Sequence, residues 1–430
     1  MSARLLSRAR RAFIASMLMA ATVAGAPVQA AAPDAGGWVT AWATAMQSIP
    51  EIESPPPLYS GPDVAGRTVR QIVYPTLSGR GVRLRISNAY GRGPLTLTSV
   101  AFARSAGGAA IRPGTSVRVT FGGRASVTLG PGAQTESDPI EVPVSAGEPY
   151  AISLATGARQ KLSAWHRVAS QLNYVSTPGD HTADAAALEY PRKFTESVWV
   201  SALDVRAPSA AAIVAIGDSI TDGMRSSLER NRRYTDALAR RLAAAGAAPT
   251  AVVNLGISGN RLLSDSPCYG EALERRFERD ALGVSGVRAA IVLIGINDIN
   301  FAAMPPRAGL DCDFPHTAVT ARDLIDGYRR LIEQAHRRGV RIFGATLTPA
   351  SLPPEREATR KAVNDWIRSS RAFDGVVDFD AALRDPAHPE RLDRRFDSGD
   401  HIHPGDEGYA AMARAVPLEA VTGGMGRAQK

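Results

Sequence analysis

Ser219 lies in the stretch Ala215-Ile216-Gly217-Asp218-Ser219-Ile220-Thr221-Asp222-Gly223, a polar break after an apolar run that begins at Ala210. A serine hydroxyl is a weak nucleophile until a base stands within hydrogen-bond reach and a third group orients that base. The chain has seven histidines that could serve. His166 and His181 fall in a β-rich half, His316 and His336 near or on a long helix, and His388 in the Pro-rich loop Asp385-Pro386-Ala387-His388-Pro389. The other two come with a carboxylate, in Asp400-His401-Ile402-His403-Pro404. Asp400 and His403 are three apart, so one turn-like bend can bring the carboxylate to the imidazole Nδ1–H and fix the tautomer that leaves Nε2 free to act as base. Adjacency tends to point the side chains of Asp400 and His401 apart, which favours His403 and leaves His401 as the competitor. A helix-start turn with incidental histidines is the plain structural alternative.

Acyl transfer to a serine also needs donors aimed at the oxyanion that develops on the attacked carbonyl. The backbone N–H of Ser219, that of Gly259 in Gly256-Ile257-Ser258-Gly259-Asn260, and the side-chain amide of Asn297 in Gly295-Ile296-Asn297-Asp298 could supply them. The alternative is that Gly259 only turns the chain and Asn297 caps a helix. Asp218 and Asp222 read as turn-shaping and helix-starting residues outside the triad. Other loop chemistries fail on their own terms. No lysine follows Gly223 as a phosphate-binding loop requires. The spaced glycines of a dinucleotide site are missing, and Thr221 stands where a nucleophile elbow would carry its second glycine.

The elements that must position these groups alternate. Continuous apolar runs at Ala211–Ile216, Ala251–Leu255 and Ala289–Ile294 suit parallel strands covered on both faces. Helical stretches at Arg232–Ala245, Glu271–Leu282, Thr320–Arg338 and Glu355–Ser370 lie between and after them, with further strands at Val340–Thr346 and Val376–Phe379 and a last helix over Glu407–Val416. Such alternation predicts a doubly wound α/β domain, in which ligands gather beyond the carboxyl ends of the strands. The three polar clusters all stand at such ends.

From Gly37 to about Val205 the pattern is instead short runs of two-residue period broken by Gly, Pro and Asn. Thr68–Tyr74, Val82–Ser87, Ser116–Phe121, Ala125–Leu129 and Tyr150–Leu154 are predicted strands of a β-sandwich or jelly roll. The start of the chain reads differently again. MSARLLSRARR followed by AFIASMLMAATVAGA is the basic and apolar pattern of an export signal, with small residues at Val28-Gln29-Ala30 for cleavage. The apolar stretch is shorter than the ~20 residues of a spanning helix, so no stable membrane anchor is expected. Arg10-Arg11 weakly resembles a twin-arginine signal, and the export route stays open. The expected division is therefore a signal peptide over 1–32, a β-sandwich over 37–207 and a catalytic domain over 208–420, within 430 residues. The expected location is periplasmic or secreted.

Charge and cysteine usage fit this picture. The net charge of +8 includes four arginines and no acid in residues 1–32, leaving 8 − 4 = +4 for the rest. No basic stripe with interleaved aromatics appears, so no nucleic-acid partner is expected. Cys268 and Cys312 are an even pair in an oxidising compartment, which predicts a disulfide, two separate buried thiols being the alternative. No zinc-type Cys/His spacing is present, and oligomeric state is not defined by any of these features.

Gly217-Asp218-Ser219, Gly259, Gly295-Ile296-Asn297-Asp298 and Asp400-His401-Ile402-His403, in that order, resemble the four sequence blocks of the SGNH hydrolases, or GDSL esterases/lipases. The resemblance covers about residues 210–417, with Ile220 where leucine is usual. It implies a flavodoxin-like α/β/α domain with no metal or organic cofactor. Ser219 would be the nucleophile, Ser219, Gly259 and Asn297 the oxyanion donors, and His403 with Asp400 the rest of the triad. Trp38-Val39-Thr40-Ala41-Trp42 resembles the start of exported bacterial members that carry an N-terminal β-sandwich. The expected activity is hydrolysis of small acyl esters, with O-acetyl groups of polysaccharides a candidate substrate. A lipase, lysophospholipase or thioesterase is the alternative within enzymes, and a glycan-binding protein with a vestigial hydrolase domain the alternative outside them.

Overall fold

The computed structural model describes residues 36–423, so the predicted signal peptide lies outside the described residues. Among the described residues, the β-rich part is built mainly from two antiparallel sheets, with a short antiparallel pair of Gln47–Ser48 and Ala164–Trp165 beside them. In the first, Trp38–Ala43, Val200–Arg206, Gly79–Ser87 and Ile140–Val144 lie side by side, with Gln134–Glu136 also paired to Gly79–Ser87. In the second the order is Arg192–Phe194, Asn173–Pro178, Arg67–Val73, Tyr150–Thr156, Leu95–Gly107 and Ala110–Ile111. Val82, Leu84 and Ile86 alternate with more exposed arginines, and they share one buried cluster with Val69, Val73, Phe102 and Leu154 of the other sheet. This is the period-two pattern of a sheet with one covered face. Tyr150–Thr156 is buried throughout, because Ile72, Ala103, Ala151, Tyr174 and Tyr190 form a second cluster on the other face of its sheet. Ser116–Phe121 departs from its predicted strand. Only Val117–Arg118 pairs with Leu95–Gly107, and Gly122 and Gly123 turn the chain immediately afterwards at positive φ.

Four residues, 207–210, separate this part from a five-stranded sheet whose strands all run parallel. We label its strands β1 (Ala211–Gly217), β2 (Thr250–Gly256), β3 (Val287–Leu293), β4 (Arg341–Ala345) and β5 (Gly375–Val377). Their spatial order is β2-β1-β3-β4-β5, the flavodoxin-like order, in which the sheet winds outward in both directions from β1 and β3. The helices are α1 (Ser219–Asp222), α2 (Tyr234–Ala244), α3 (Leu273–Phe277), α4 (Ile296–Phe301), α5 (Ala321–Arg337), α6 (Pro354–Ser369), α7 (Phe379–Leu383), α8 (Asp406–Ala415) and α9 (Leu418–Thr422). α2 packs with α8 and α8 with α7, while α3 and α6 pack on α5 and α4 on α6, giving the two helical layers of the α/β/α arrangement. The predicted helix over Glu271–Leu282 is shorter and irregular: α3 passes into one π-type turn over Glu278–Leu282.

β2 is an edge strand, and such an edge needs cover. Thr76 provides it from the β-rich part, accepting from the Val252 N–H and donating to the Val252 carbonyl, 3.0 Å in each case. Nearby, Ser285 exchanges hydrogen bonds with Thr40 and donates to Asp204, and Arg85 reaches the Gly283 carbonyl. One continuous buried apolar cluster runs from Val39 through both sheets of the sandwich and into the parallel sheet and its helices. Among the described residues, no helix is long and apolar enough to cross a membrane.

Candidate active site

The ladder sets the site. Gly217 at the end of β1 is in register with Gly256 on β2 and Leu293 on β3, so the chain leaves all three strands on one edge. Close packing, not a left-handed bend, explains Gly217: a Cβ there would stand 2.0 Å from the Leu293 carbonyl oxygen and 2.7 Å from Thr221 Oγ1. Arg276, fully buried, ties two of these ends together by donating to the carbonyls of Gly217 and Leu255 at 3.0 Å each.

Ser219 opens α1, a single turn whose N-cap is Asp218; the Asp218 carboxylate accepts from the Ile220 N–H at 3.0 Å. Ser219 is 6% exposed, and its Oγ lies 2.7 Å from His403 Nε2. His403 Nδ1 lies 2.9 Å from Asp400 Oδ2, while Asp400 Oδ1 accepts from the His403 N–H at 2.8 Å and the Ile402 N–H at 3.1 Å. The carboxylate thus holds both the ring and its backbone. Partial burial works against ionisation of Asp400, but the bonds from His403 outweigh it and hold the carboxyl well below the usual carboxylate range. His401 turns elsewhere: exposed and at φ 65°, it pairs with Asp397 at 2.6 Å. Arg225 is an addition invisible in the sequence pattern, donating from Nε to Asp400 Oδ2 at 3.1 Å.

Gly259 has φ 83°, and a Cβ there would come within 2.4 Å of the Tyr269 ring. Glycine is therefore needed twice over, for the left-handed backbone and for the ring lying on it. Asn297 does not cap α4, whose N-cap is Gly295. Its Nδ2 donates to the Asn260 carbonyl at 2.9 Å, which fixes the amide plane and leaves a second N–H on the same nitrogen. The wall beyond Asn297 is tied down as expected from the sequence: Cys268 and Cys312 form a disulfide. Arg261 adds bonds to the carbonyls of Asp313, Phe314 and Pro315, and the Tyr269 and Phe301 rings meet at 5.5 Å.

Two buried carboxyls flank the turn. Burial pushes Asp218 up to about 7, with the charges of Asp298 and Asp222 adding to the shift, and its Oδ2 has no hydrogen-bond partner among the described residues. Burial pushes Asp298 up to about 6 against the opposing N–H groups of Leu262 and Leu263.

Asp222 differs from its predicted helix-starting role. It is the last residue of α1, and its Oδ2 accepts from both the N–H and the hydroxyl of Ser258, at 2.9 and 2.6 Å, next to Gly259. Its Oδ1 lies 3.0 Å from Nε2 of His166, a residue of the β-rich part. His166 Nδ1 faces the Ala45 carbonyl at 2.9 Å, and Nε2 also faces the Val168 carbonyl at 3.1 Å. Every neighbour of this imidazole is an acceptor, so both nitrogens must donate. Burial alone would pull the imidazole down, but Asp222 and the two carbonyls outweigh it and raise it above its ordinary value. His166 and Asp222 are 56 residues apart, and nothing in the spacing links them.

A strand-end serine on a flavodoxin-like sheet, hydrogen-bonded to an imidazole held by a carboxylate, with N–H groups beside it, is the arrangement of a serine ester hydrolase. Residues 215–411 match the GDSL-like lipase/acylhydrolase family, so the α/β part of this chain is a domain of that family and the protein is a carboxylic ester hydrolase. No curated protein matches the chain in sequence. Solved structures similar to it include a GDSL-like lipase from Bacteroides thetaiotaomicron VPI-5482, 16% identical over 49% of this chain and 87% of its own, with a TM-score of 0.33. An α/β hydrolase enzyme from the metagenome of Lake Arreo, Spain, is 21% identical over 50% of this chain and 96% of its own, with a TM-score of 0.37. A variant of an acetyl xylan esterase from Geobacillus stearothermophilus is 22% identical over 49% and 94%, with a TM-score of 0.35.

Proposed function

We propose that this hydrolase is an exported serine esterase that removes small acyl groups, O-acetyl substituents of polysaccharides among them, through an acyl-enzyme. The observation that carries this reading is the continuous chain Ser219 Oγ, His403 Nε2, His403 Nδ1, Asp400 Oδ2, with contacts of 2.7 and 2.9 Å. As Ser219 Oγ attacks the ester carbonyl, His403 Nε2 takes its proton, and Asp400 stabilises the imidazolium. The tetrahedral oxyanion is met by the N–H groups of Ser219 and Gly259 and the free amide N–H of Asn297. Collapse expels the alcohol, which receives the proton from Nε2. Water, activated by the same imidazole, then releases the acid and restores Ser219. The closeness of Tyr269 to Gly259, with Phe301 behind it, favours a short acyl group on this side of the serine.

The test is hydrolysis of 4-nitrophenyl acetate by wild type and Ser219→Ala. The reading expects the variant to lose at least ~10³-fold in kcat, and covalent labelling by a fluorophosphonate to require Ser219. Equal turnover by both proteins would reject it. Export is supported by the Cys268–Cys312 disulfide, a bond that persists in oxidising compartments. A mature N-terminus just after Ala30, recovered outside the cytoplasm, is the expected result.

A further inference from the structure

The wall beside Gly259 holds a cation that the protein leaves without a counter-ion. Arg167, next in sequence to His166, is only 8% exposed, and its Nε is fully buried with no hydrogen-bond partner. Among the described residues, no group hydrogen-bonds its guanidinium and no carboxylate lies within ion-pair distance. Other deeply buried arginines of the chain are treated differently. Arg70 donates to Ser153 and to the carbonyls of Ala109 and His181. Arg360 is held by Glu357, Asp380 and the Leu347 carbonyl. A largely buried guanidinium whose Nε finds no acceptor, and whose terminal N–H groups bond to no protein group, is costly, and such an exception in a native fold calls for an explanation.

Its surroundings point to one. The Arg167 Cζ lies 5.4 Å from the centroid of the Tyr59 ring and 5.9 Å from that of Tyr269. Two aromatic faces attract a cation, but they supply no lone pairs for its N–H fork. Tyr269 is the ring that rests on Gly259, and the preceding residue, His166, grips Asp222 and through it Ser258. Arg167 therefore stands one ring away from the backbone that would hold the oxyanion. The acid that senses it is Glu196, which lies beyond ion-pair distance; burial raises its carboxyl against the N–H groups of Thr195 and of Glu196 itself, and Arg167 adds only the smallest opposing pull. A planar fork flanked by aromatic walls matches a carboxylate, which it can bind through two parallel N–H···O bonds.

We propose that Arg167 is a specificity residue of the esterase site that binds a carboxylate carried by the substrate, either on the alcohol part, as in an acylated uronic acid, or on the acyl part, as in a half-ester of a dicarboxylic acid. This rests on Ser219 being the nucleophile of an esterase. The test compares wild type, Arg167→Gln and Arg167→Lys on two matched pairs of substrates. Mono-4-nitrophenyl succinate against 4-nitrophenyl butyrate places the charge on the acyl part; 4-acetoxybenzoate against 4-acetoxybenzamide places it on the alcohol part. In at least one pair, Arg167→Gln should lower the charged-to-neutral ratio of kcat/KM by about tenfold or more, chiefly through KM, with Arg167→Lys intermediate. Ratios that stay unchanged in both pairs overturn the proposal. Should Arg167→Gln fail to fold, wild type alone still decides: succinate must inhibit hydrolysis of 4-nitrophenyl butyrate competitively and succinamide must not, and equal or absent inhibition by the two overturns the proposal. If wild type hydrolyses none of the four esters, the esterase reading fails first and this inference falls with it.

Discussion

Two imidazole–carboxylate pairs touch the segment Asp218–Asp222, and their surroundings assign them different work. In the pair His403–Asp400, the side chains are 18% and 24% exposed, and Nε2 faces a hydroxyl that can give up a proton. In the pair His166–Asp222, the side chains are 5% and 4% exposed, and both nitrogens face only acceptors. The first imidazole has a lone pair to offer and the second has none. One is suited to proton transfer, while the other is a fixed cation that joins the β-rich part to the turn carrying Ser219 and, through Ser258, to Gly259. Carboxylate–histidine pairing alone is therefore not a catalytic signature. What the remaining ring nitrogen faces decides the role.

The largest expected effect breaks the pair suited to proton transfer. His403→Ala should lower kcat by roughly 10⁴-fold, and Asp400→Asn by a similar order, because the ring would lose the partner that fixes its tautomer. Neither change should lower the stability at neutral pH as much as removing His166 does, since the Asp400–His403 pair is partly solvated. Stopped-flow or steady-state turnover on 4-nitrophenyl acetate, with urea unfolding of the same samples, checks both halves of the statement. Turnover within tenfold of wild type for His403→Ala would undo the assignment of the two pairs.

Removing the fixed cation should act in the middle range. His166→Gln keeps one donor and loses the charge, leaving Asp222 buried beside an uncharged neighbour. We expect kcat to fall ten- to a hundredfold, about 1.4 to 2.7 kcal/mol of transition-state stabilisation, because Ser219 and Gly259 lose their common anchor. The pH behaviour separates this role from general packing. The folded-state pKa of His166 is raised, so its stabilisation is complete below the unfolded value of about 6.5 and is lost as pH rises through the folded value. Wild-type stability should therefore decline on raising the pH through that window, and His166→Gln should lack the decline. Identical slopes in the two proteins would mean that His166 is not charged in the fold.

The contrast between the pairs also explains what was readable before the structure. Asp400 and His403 are three residues apart, so a local turn suffices to join them and their spacing alone suggested it. The polar clusters after β1, β2 and β3 were readable because buried parallel strands are continuous apolar runs, and their ends must converge once the strands pair in register. The long helix over Thr320–Arg338 followed from its amphipathic period and the glycine after it, and the structure closes its start with a capping box of Thr320 and Asp323. Contacts made by the sandwich were not legible. His166 meets Asp222, Thr76 meets Val252 and Arg167 meets Tyr269 only after two separately patterned regions dock, and no periodicity records which residues face that seam. Weak local pattern accounts for the Ser116–Phe121 error as well, since a chain with glycines at 122 and 123 leaves the sheet after two paired residues. The π-type turn after α3 likewise has no mark in a helical period.

The smallest effect on turnover, and the finest test of the comparison, concerns Asp218, a carboxyl whose shift is opposite in sign to that of Asp400. Asp400 is held below its ordinary range, so its contribution to stability is present above the unfolded value near 3.9 and is lost as pH falls further. Asp218, pushed up to about 7 by burial, does the reverse. Below about pH 4 its folded and unfolded forms are both protonated and it has no effect. Between there and about pH 7 the unfolded chain releases a proton that the fold retains, and stability falls by as much as ~1.4 kcal/mol per pH unit. Asp218→Asn keeps an acceptor for the Ile220 N–H and cannot ionise. Turnover should stay within about threefold of wild type, because Asp218 touches neither Ser219 Oγ nor His403 in this arrangement. Urea unfolding at pH 4.5, 6 and 8 should show the gap between wild type and variant shifting in the variant's favour as pH rises, by on the order of a few kcal/mol across the range. Parallel pH profiles would mean that Asp218 is ionised in the fold, and that a neighbouring group, rather than burial, governs the edge of the turn that carries Ser219.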